Sequence, residues 1–331
     1  MSDENTPVAE GTPSTAPDDT PKTEGTTSTT PGNTVEQKIS DKVTSTVEYH
    51  IYTDGKIKYK LTDTTGDDKK DRTVQELKNA RDKAKYVYHD SSDTEHDLGT
   101  YDITATSNTY TNYGDKLGGD KIYLIDMGTI NNFENADKTV KFSMAMNTTR
   151  PYSNDVTTAA LLGSMTNTGY TDFNFNGGSN NKGESPSPST SHKNGMNLDL
   201  RYLRTDKSGG TVHLDKNNET GDPCGWKGLD VDRQNSFVDE LRRYGWSDIK
   251  AWEYWDSTNS PDTATEWTTW YTEWQKTNPD AEKPVLKNIK HLANHHHHIH
   301  LQGFSPSLEE IKEEAKPEES KTEETAEKEE T

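Results

Sequence analysis

The sequence predicts an α+β fold in which short alternating strands outnumber helices. Three observations carry this. Apolar residues alternate with period two in several short stretches, Val47, Tyr49 and Ile51 being the clearest. Two other stretches have helical spacing with start and stop signals, one beginning at Asp155 and one at Asp230 or Asp232. The ends, residues 1–43 and 308–331, are Thr/Pro/Ser-rich and Glu/Lys-rich with almost no large apolar side chains. Such ends bury too little surface to offset the entropy of ordering and are expected to be disordered.

Along the chain, Asp54-Gly55 separates the first alternating run from a second, Ile57, Tyr59 and Leu61, which predicts a β-hairpin. A second strand pair is expected around Tyr86-Val87-Tyr88 and Leu98 to Tyr101. Residues 44–125 then form a small β-rich module without evident chemistry. Its His50, His89 and His96 sit near turns and are expected to be solvated. The second unit, 126–307, opens with a strand on Val140, Phe142, Met144 and Met146. Asp155 is expected to cap a helix through Ala159, Ala160, Leu162 and Met165 that stops at Gly169. Phe173 and Phe175 suggest a short strand ending at Gly177-Gly178. The later helix has the apolar face Phe237, Val238 and Leu241 and closes at Tyr244-Gly245, and a strand follows over Ile249 to Trp252. All seven tryptophans fall between Trp226 and Trp274, and Trp267, Trp270 and Trp274 have helical spacing. The residues leave two readings for these three, packing of an inserted helix (252–290) or a sugar-stacking wall.

Composition narrows the function. Hydrophobic content is 27% and mean hydropathy −1.12 over 331 residues, too polar for a chain folded from end to end. The formal charge is −20, of which the tail carries −7 and residues 1–43 carry −5. An acidic chain without a basic stripe is a poor partner for nucleic acid or for an anionic membrane surface. Cys224 is the single cysteine, so no intrachain disulfide is possible. No segment has transmembrane length. The acidic start Met1-Ser2-Asp3-Glu4-Asn5 lacks the apolar core of a usual signal peptide.

The chemistry lies in two short motifs. One is Ser191-His192-Lys193-Asn194-Gly195 with Asp199 downstream; the other is His298-Ile299-His300, closing a run that begins at His295. In strands, Asp199 would share a polar face with Asn197 and Arg201, and His298 and His300 would share a face while Ile299 and Leu301 enter the core. If those strands are neighbours, His192, Asp199 and His300 converge. Two imidazoles and one carboxylate form a zinc-type set whose fourth position is left for water, with His298 beside it. Each motif is weak alone, and a bare histidine run is uninformative. This run, however, continues as a patterned strand through Leu301-Gln302-Gly303-Phe304.

Ser-His-x-x-Gly-x-x-x-Asp followed by His-x-x-His-x-His resembles the penicillin-insensitive murein endopeptidases, within the wider group of lysostaphin-like, D-Ala-D-Ala peptidase and hedgehog (LAS) folds. The resemblance spans roughly residues 138–304. It implies an antiparallel-sheet zinc peptidase domain holding one Zn2+ per chain on His192, Asp199 and His300. His298 and His295 would be catalytic or supporting histidines, and Arg150 and Ser191 would meet substrate. Carboxypeptidase relatives place a Glu general base three residues before the last metal histidine. Here that residue is His297, which favours the endopeptidase-like branch. His296 and His297 are additional to the pattern, as is the Trp-rich stretch.

The expectation is therefore a bacterial zinc metallopeptidase that cuts a stem or cross-link peptide bond of peptidoglycan. Without a usual signal peptide it would reach the periplasm or cell wall by lysis, as a phage-type lysin, or through a secretion apparatus. In the latter setting it would be an antibacterial effector with a cognate immunity protein. The alternatives are an amidase or D,D-carboxypeptidase on the same fold, a non-catalytic zinc-containing binding module, or a structural component with a vestigial domain.

Overall fold

The computed structural model describes residues 42–69, 71–216, 218–252 and 286–312, together with Glu273 and Lys276. The described chain is α+β and mostly sheet. The first half gives β1 (Ser45–Tyr52), β2 (Lys56–Asp63), α1 (Val74–Asn79), β3 (Arg81–His89), β4 (Glu95–Ser107) and β5 (Lys121–Asp126). Short strands follow: β6 (Phe133–Glu134), β7 (Lys141–Phe142), β8 (Met144–Met146) and β9 (Tyr152–Asn154), then α2 (Asp155–Thr168), β10 (Phe173–Gly177) and β11 (Leu198–Leu200). The remainder is β12 (Val212–His213), β13 (Cys224–Gly225), α3 (Val231–Arg243), β14 (Trp246–Ala251), β15 (Lys290–His291), β16 (Ile299–Phe304) and β17 (Ser307–Glu310). Among the described residues no helix is long and apolar enough to cross a membrane.

Two sheets hold most strands. One has the order β17-β2-β1-β3-β4-β5-β9, the other β15-β14-β16-β11-β10-β8. Both expected strand pairs form: β1 meets β2 with Tyr49 opposite Tyr59, and β3 meets β4 with Tyr86 opposite Gly99. The expected strand from Val140 to Met146 breaks at Ser143. Its first part pairs with β6, and its second joins the other sheet beside β10.

The expected boundary between residues 125 and 126 does not mark a break in packing. The described residues from 42 to 312 form one compact unit, and a single hydrophobic cluster runs from Val47 to Phe304. The sheet built on the first hairpin also takes in β9 and β17, from the far side of that boundary. β17 corrects a second expectation. Leu308 to Glu310, assigned to the tail, pair in parallel with β2, and Tyr59 Oη donates to Glu310 Oε2 at 3.1 Å. The apolar Ile57 and Leu308 face each other in this register, so the strand gains packing as well as ladder hydrogen bonds. Residues 1–41 and 313–331 and most of the Trp-rich stretch, with Trp267, Trp270 and Trp274, lie outside the described residues.

The centre is α2. Every residue from Asp155 to Thr166 is buried, the polar ones together with Val156, Ala159, Ala160, Leu161, Leu162 and Met165. Its hydroxyls remain satisfied because Thr158, Ser164 and Thr166 donate to the carbonyls four residues earlier. Asn154, not Asp155, is the cap, accepting from the backbone N–H of Val156 and Thr157. Asp155 turns inward instead. Tyr49 donates to its carboxylate at 2.7 Å, Tyr86 to its backbone carbonyl at 3.0 Å, and Arg81 lies 3.6 Å away. This buried polar knot ties α2 to β1 and β3. α3 packs on α2 and β14 through Phe237, Val238 and Leu241, with Asp230 as its cap.

Three strands of the second sheet are joined by Asp248 on β14. Its Oδ1 is 2.9 Å from Lys250 Nζ and 2.8 Å from Lys290 Nζ, and Gln302 Nε2 on β16 donates to Oδ2 at 2.5 Å. Burial is the largest single influence on this carboxyl and works to raise it. The contacts to Lys290, Lys250 and Gln302 together outweigh burial and hold it well below the usual carboxylate range. Because the folded value is depressed, the unfolded chain takes up the proton first. The stabilisation is therefore complete above the unfolded value of about 4 and is lost as pH falls through the folded one. Asp248→Asn is expected to cost about 1 kcal/mol at pH 7. Thermal unfolding of both proteins should show the gap closing as pH drops below about 4.

Candidate metal centre

The centre is built across β10, β11 and β16. Asp199 on β11 is directly opposite His300 on β16, while Leu198 faces Leu301 and Leu200 faces Ile299. The flanking leucines and isoleucine are fully buried, so the alternation that buries them puts Asp199 and His300 side by side on the other face. The strand around Asp199 is shorter than the expected Met196 to Leu203, but the alternation is as expected.

His192 arrives from outside the sheet. A tight 3-10 turn, Lys193–Gly195, folds it back beside Asp199. Gly195 has φ +66°, and a Cβ there would lie 2.5 Å from the Asn154 backbone nitrogen, so the turn presses against β9 in a way only glycine permits. Asn194, at φ 54° and fully buried, anchors the turn. Its Nδ2 lies 3.1, 3.1 and 3.0 Å from Asn108 Oδ1, Tyr110 O and Tyr113 O in the β4–β5 connection.

The three donors meet. His192 Nε2 is 3.0 Å from Asp199 Oδ2, and His300 Nδ1 is 2.7 Å from Asp199 Oδ1. One ligand atom from each residue falls within 4.8 Å of the others, and all three side chains are buried. His192 Nδ1 is 2.7 Å from the Asn197 carbonyl, which can only accept, so that nitrogen carries the ring proton. In the neutral ring, Nε2 then presents a lone pair to a carboxylate oxygen. Two lone pairs at that distance repel, and either a second ring proton or a metal ion between them removes the repulsion. The donor set therefore fits a metal ion, and the Asn197 carbonyl supplies the outer hydrogen bond that metal-bound histidines generally make.

Burial alone would raise the Asp199 carboxyl, but the contacts from His192 and His300 outweigh it and hold the group well below the ordinary range. It is an anion in a buried place, which requires compensation by charge.

The other expected residues also come to this place. Arg150 Nη2 is 3.3 Å from Asp199 Oδ2, and its buried Nη1 has no protein hydrogen-bond partner. Gly177 lies opposite Asp199 on the β10 side, and a Cβ there would come within 2.5 Å of Arg150 Nη2. Its missing side chain leaves the passage through which Arg150 reaches the centre. His298 Nε2 is 3.7 Å from Asp199 Oδ1, and burial pushes this imidazole down to about 3. His295 is likewise pushed down by burial, and its Nδ1 donates to the Ala293 carbonyl at 2.8 Å, leaving Nε2 as an acceptor. Its ring stands 5.7 Å from that of His300. Both histidines stay neutral near pH 7.

An open pocket of about 760 Å³ covers the centre, with Arg150, Ser191, His192, Asp199, His298 and His300 in its lining. That size suits a peptide-like ligand. Ser191 reaches this wall, with its backbone carbonyl taken by Asn197 Nδ2 and the Lys193 N–H. His297 also lines the pocket, whereas His296 turns toward His213, its ring 5.0 Å away. The two additional histidines stay together, with rings 4.9 Å apart, and His297 also stacks 5.8 Å from His213. Tyr202 holds the run from behind, donating to the His295 carbonyl at 2.7 Å and accepting from the Trp252 N–H at 3.0 Å.

Asn194, Asn197, Gly177 and Tyr202 act on the site without having been singled out as site residues. The one available signal was the presence of polar and glycine residues inside or beside the motif, and its use depends on contacts made elsewhere in the chain. No protein-family model matches this sequence, and neither a curated protein nor a solved structure matches it.

His300→Ala and His192→Ala should each lower the metal retained after dialysis by one equivalent per chain, whereas His296→Ala should leave it unchanged, as read by elemental analysis. Asn194→Ala leaves three backbone and side-chain acceptors without their donor and should cost roughly 2 kcal/mol in thermal unfolding. It should also weaken metal affinity, by on the order of tenfold, because the turn carrying His192 is loosened.

Proposed function

We propose that this chain is a zinc-dependent peptidoglycan peptidase of the LAS type, cutting a peptide bond in the stem or cross-link. The observation that carries the reading is the meeting of His192, Asp199 and His300 at the floor of an open pocket that also receives Arg150, His298 and His295. Two histidines and one carboxylate suit zinc, and three protein donors leave a coordination position for the reaction.

When bound, the ion would supply Lewis acidity and make water available as hydroxide near neutrality. The chain's own groups would do the rest. His298, neutral and 3.7 Å from the carboxylate, is placed to exchange a proton with the attacking water or the departing amine. His295 is preset as an acceptor by its bond to Ala293 and stands behind it. Arg150 lines the pocket with its Nη2 3.3 Å from Asp199, a cation suited to a substrate carboxylate or carbonyl. Peptidoglycan stems carry both. His297 in the place of an acidic base favours an endopeptidase over a carboxypeptidase.

A second reading is a non-catalytic zinc module. It is favoured by His298, whose Nε2 is near enough to Asp199 to serve as a fourth ligand and close the site. Digestion of purified sacculi separates the two. Wild-type protein, wild-type protein with chelator and His300→Ala would be incubated with more than one peptidoglycan type and the products weighed by mass spectrometry. Conversion of cross-linked muropeptides to monomers by the untreated wild type alone is expected, and the product masses name the bond. Intact sacculi in every arm, with zinc retained by the wild type, would favour the closed module.

A further inference from the structure

We propose a second site for a zinc-type divalent ion, formed by His50, His89 and Glu95 on the seven-stranded sheet and sharing no residue with the first centre. The residues come from three adjacent strands. Tyr49 and Tyr86 point to α2, so the alternation places His50 on β1 and His89 on β3 on the opposite face of the sheet. Glu95 is the cross-strand partner of His89 on β4. These histidines are not solvated, as their positions near turns suggested; they are 7% and 6% exposed, beneath the Tyr52 ring, which stacks 4.3 Å from His89.

His50 Nδ1 and His89 Nε2 face each other at 2.9 Å. Asp93 Oδ1, which can only accept, is 2.9 Å from His89 Nδ1, so that nitrogen carries the ring proton and Nε2 keeps its lone pair. Glu48 Oε1 lies 3.0 Å from His50 Nε2 but outside hydrogen-bonding geometry, and this buried nitrogen has no hydrogen-bond partner among the described residues. A metal ion held by His89 Nε2 and His50 Nδ1 would move the His50 proton to Nε2 beside Glu48. Each outer carboxylate then becomes the orienting partner that metal-bound histidines usually have.

A third donor is at hand, which a shared proton would not require. Glu95 Oε1 is 3.9 Å from His89 Nε2, and the three ligand atoms fall within 4.8 Å of one another. Two imidazoles and one carboxylate select a zinc-type ion over magnesium or calcium, which want an oxygen shell. Lys60 and Lys85 lie 3.2 and 3.6 Å from Glu48, so the cluster is not simply an acidic patch that draws any cation. The ion would staple β1, β3 and β4, far in sequence from the motifs of the first centre.

The test uses the full chain carrying His192→Ala and His300→Ala, which disable the first centre. It would be loaded with Co2+, dialysed, and assayed for cobalt per chain, visible absorption and melting temperature. The expected result is one equivalent of cobalt with a ligand-field spectrum of nitrogen and oxygen donors, and a melting temperature raised by the ion. Adding His89→Asn should abolish retention. Adding Glu95→Gln, at an exposed position that leaves the sheet intact by circular dichroism, should weaken binding by on the order of tenfold. No cobalt in the double variant, or retention unaltered by Glu95→Gln in a folded chain, would overturn the proposal.

Discussion

Asp199 and His300 are a hundred residues apart in sequence, and they meet because β11 and β16 pair in one register. That register is held by burial. Leu198, Leu200, Ile299 and Leu301 are all fully buried, and a slip by one residue would carry them to the pocket and the metal donors into the core. The cost of exposing four large apolar side chains, about 1.5–3 kcal/mol each, exceeds what any single polar contact in the centre can contribute. The chemistry thus rests on ordinary hydrophobic alternation, and the donors occupy the places that alternation leaves free.

The third donor depends on a different constraint. His192 lies outside the sheet, and its position is set by a turn that leans on β9 through Gly195 and on the β4–β5 connection through Asn194. Both supports belong to the seven-stranded sheet, which itself carries no residue of the centre. This is why the first hairpins cannot be regarded as an appended module: they form the wall against which the loop carrying His192 is fixed. The buried knot of Asp155, Tyr49, Tyr86 and Arg81 holds that wall to α2.

Both histidine clusters share one electrostatic device. An outer acceptor fixes the proton on one ring nitrogen, Asn197 O for His192 and Asp93 for His89, and the other nitrogen is left with a lone pair turned into the cluster. Sites of this kind could hold a cation. The difference lies in access, since the first opens on a large pocket while the second is covered by a tyrosine ring and edged by an exposed glutamate.

Much of this was legible in the residues. Period-two alternation gave the hairpins, α3 was marked by its apolar face, and the two motifs named His192, Asp199 and His300, because local periodicity and side-chain chemistry are properties of short stretches. The boundaries were not legible. Ser143 interrupts a run that reads as one strand, because its two halves find different sheets. Leu308 to Glu310 read as tail, because their place beside β2 depends on an edge 250 residues earlier. His50 and His89 read as solvated, because lateral burial within a sheet comes from neighbouring strands and leaves no local trace. The sequence by itself determined the inventory of donors and the face each would take. Only the tertiary structure decided which faces meet, since strand order and register follow from how distant apolar surfaces close over one core.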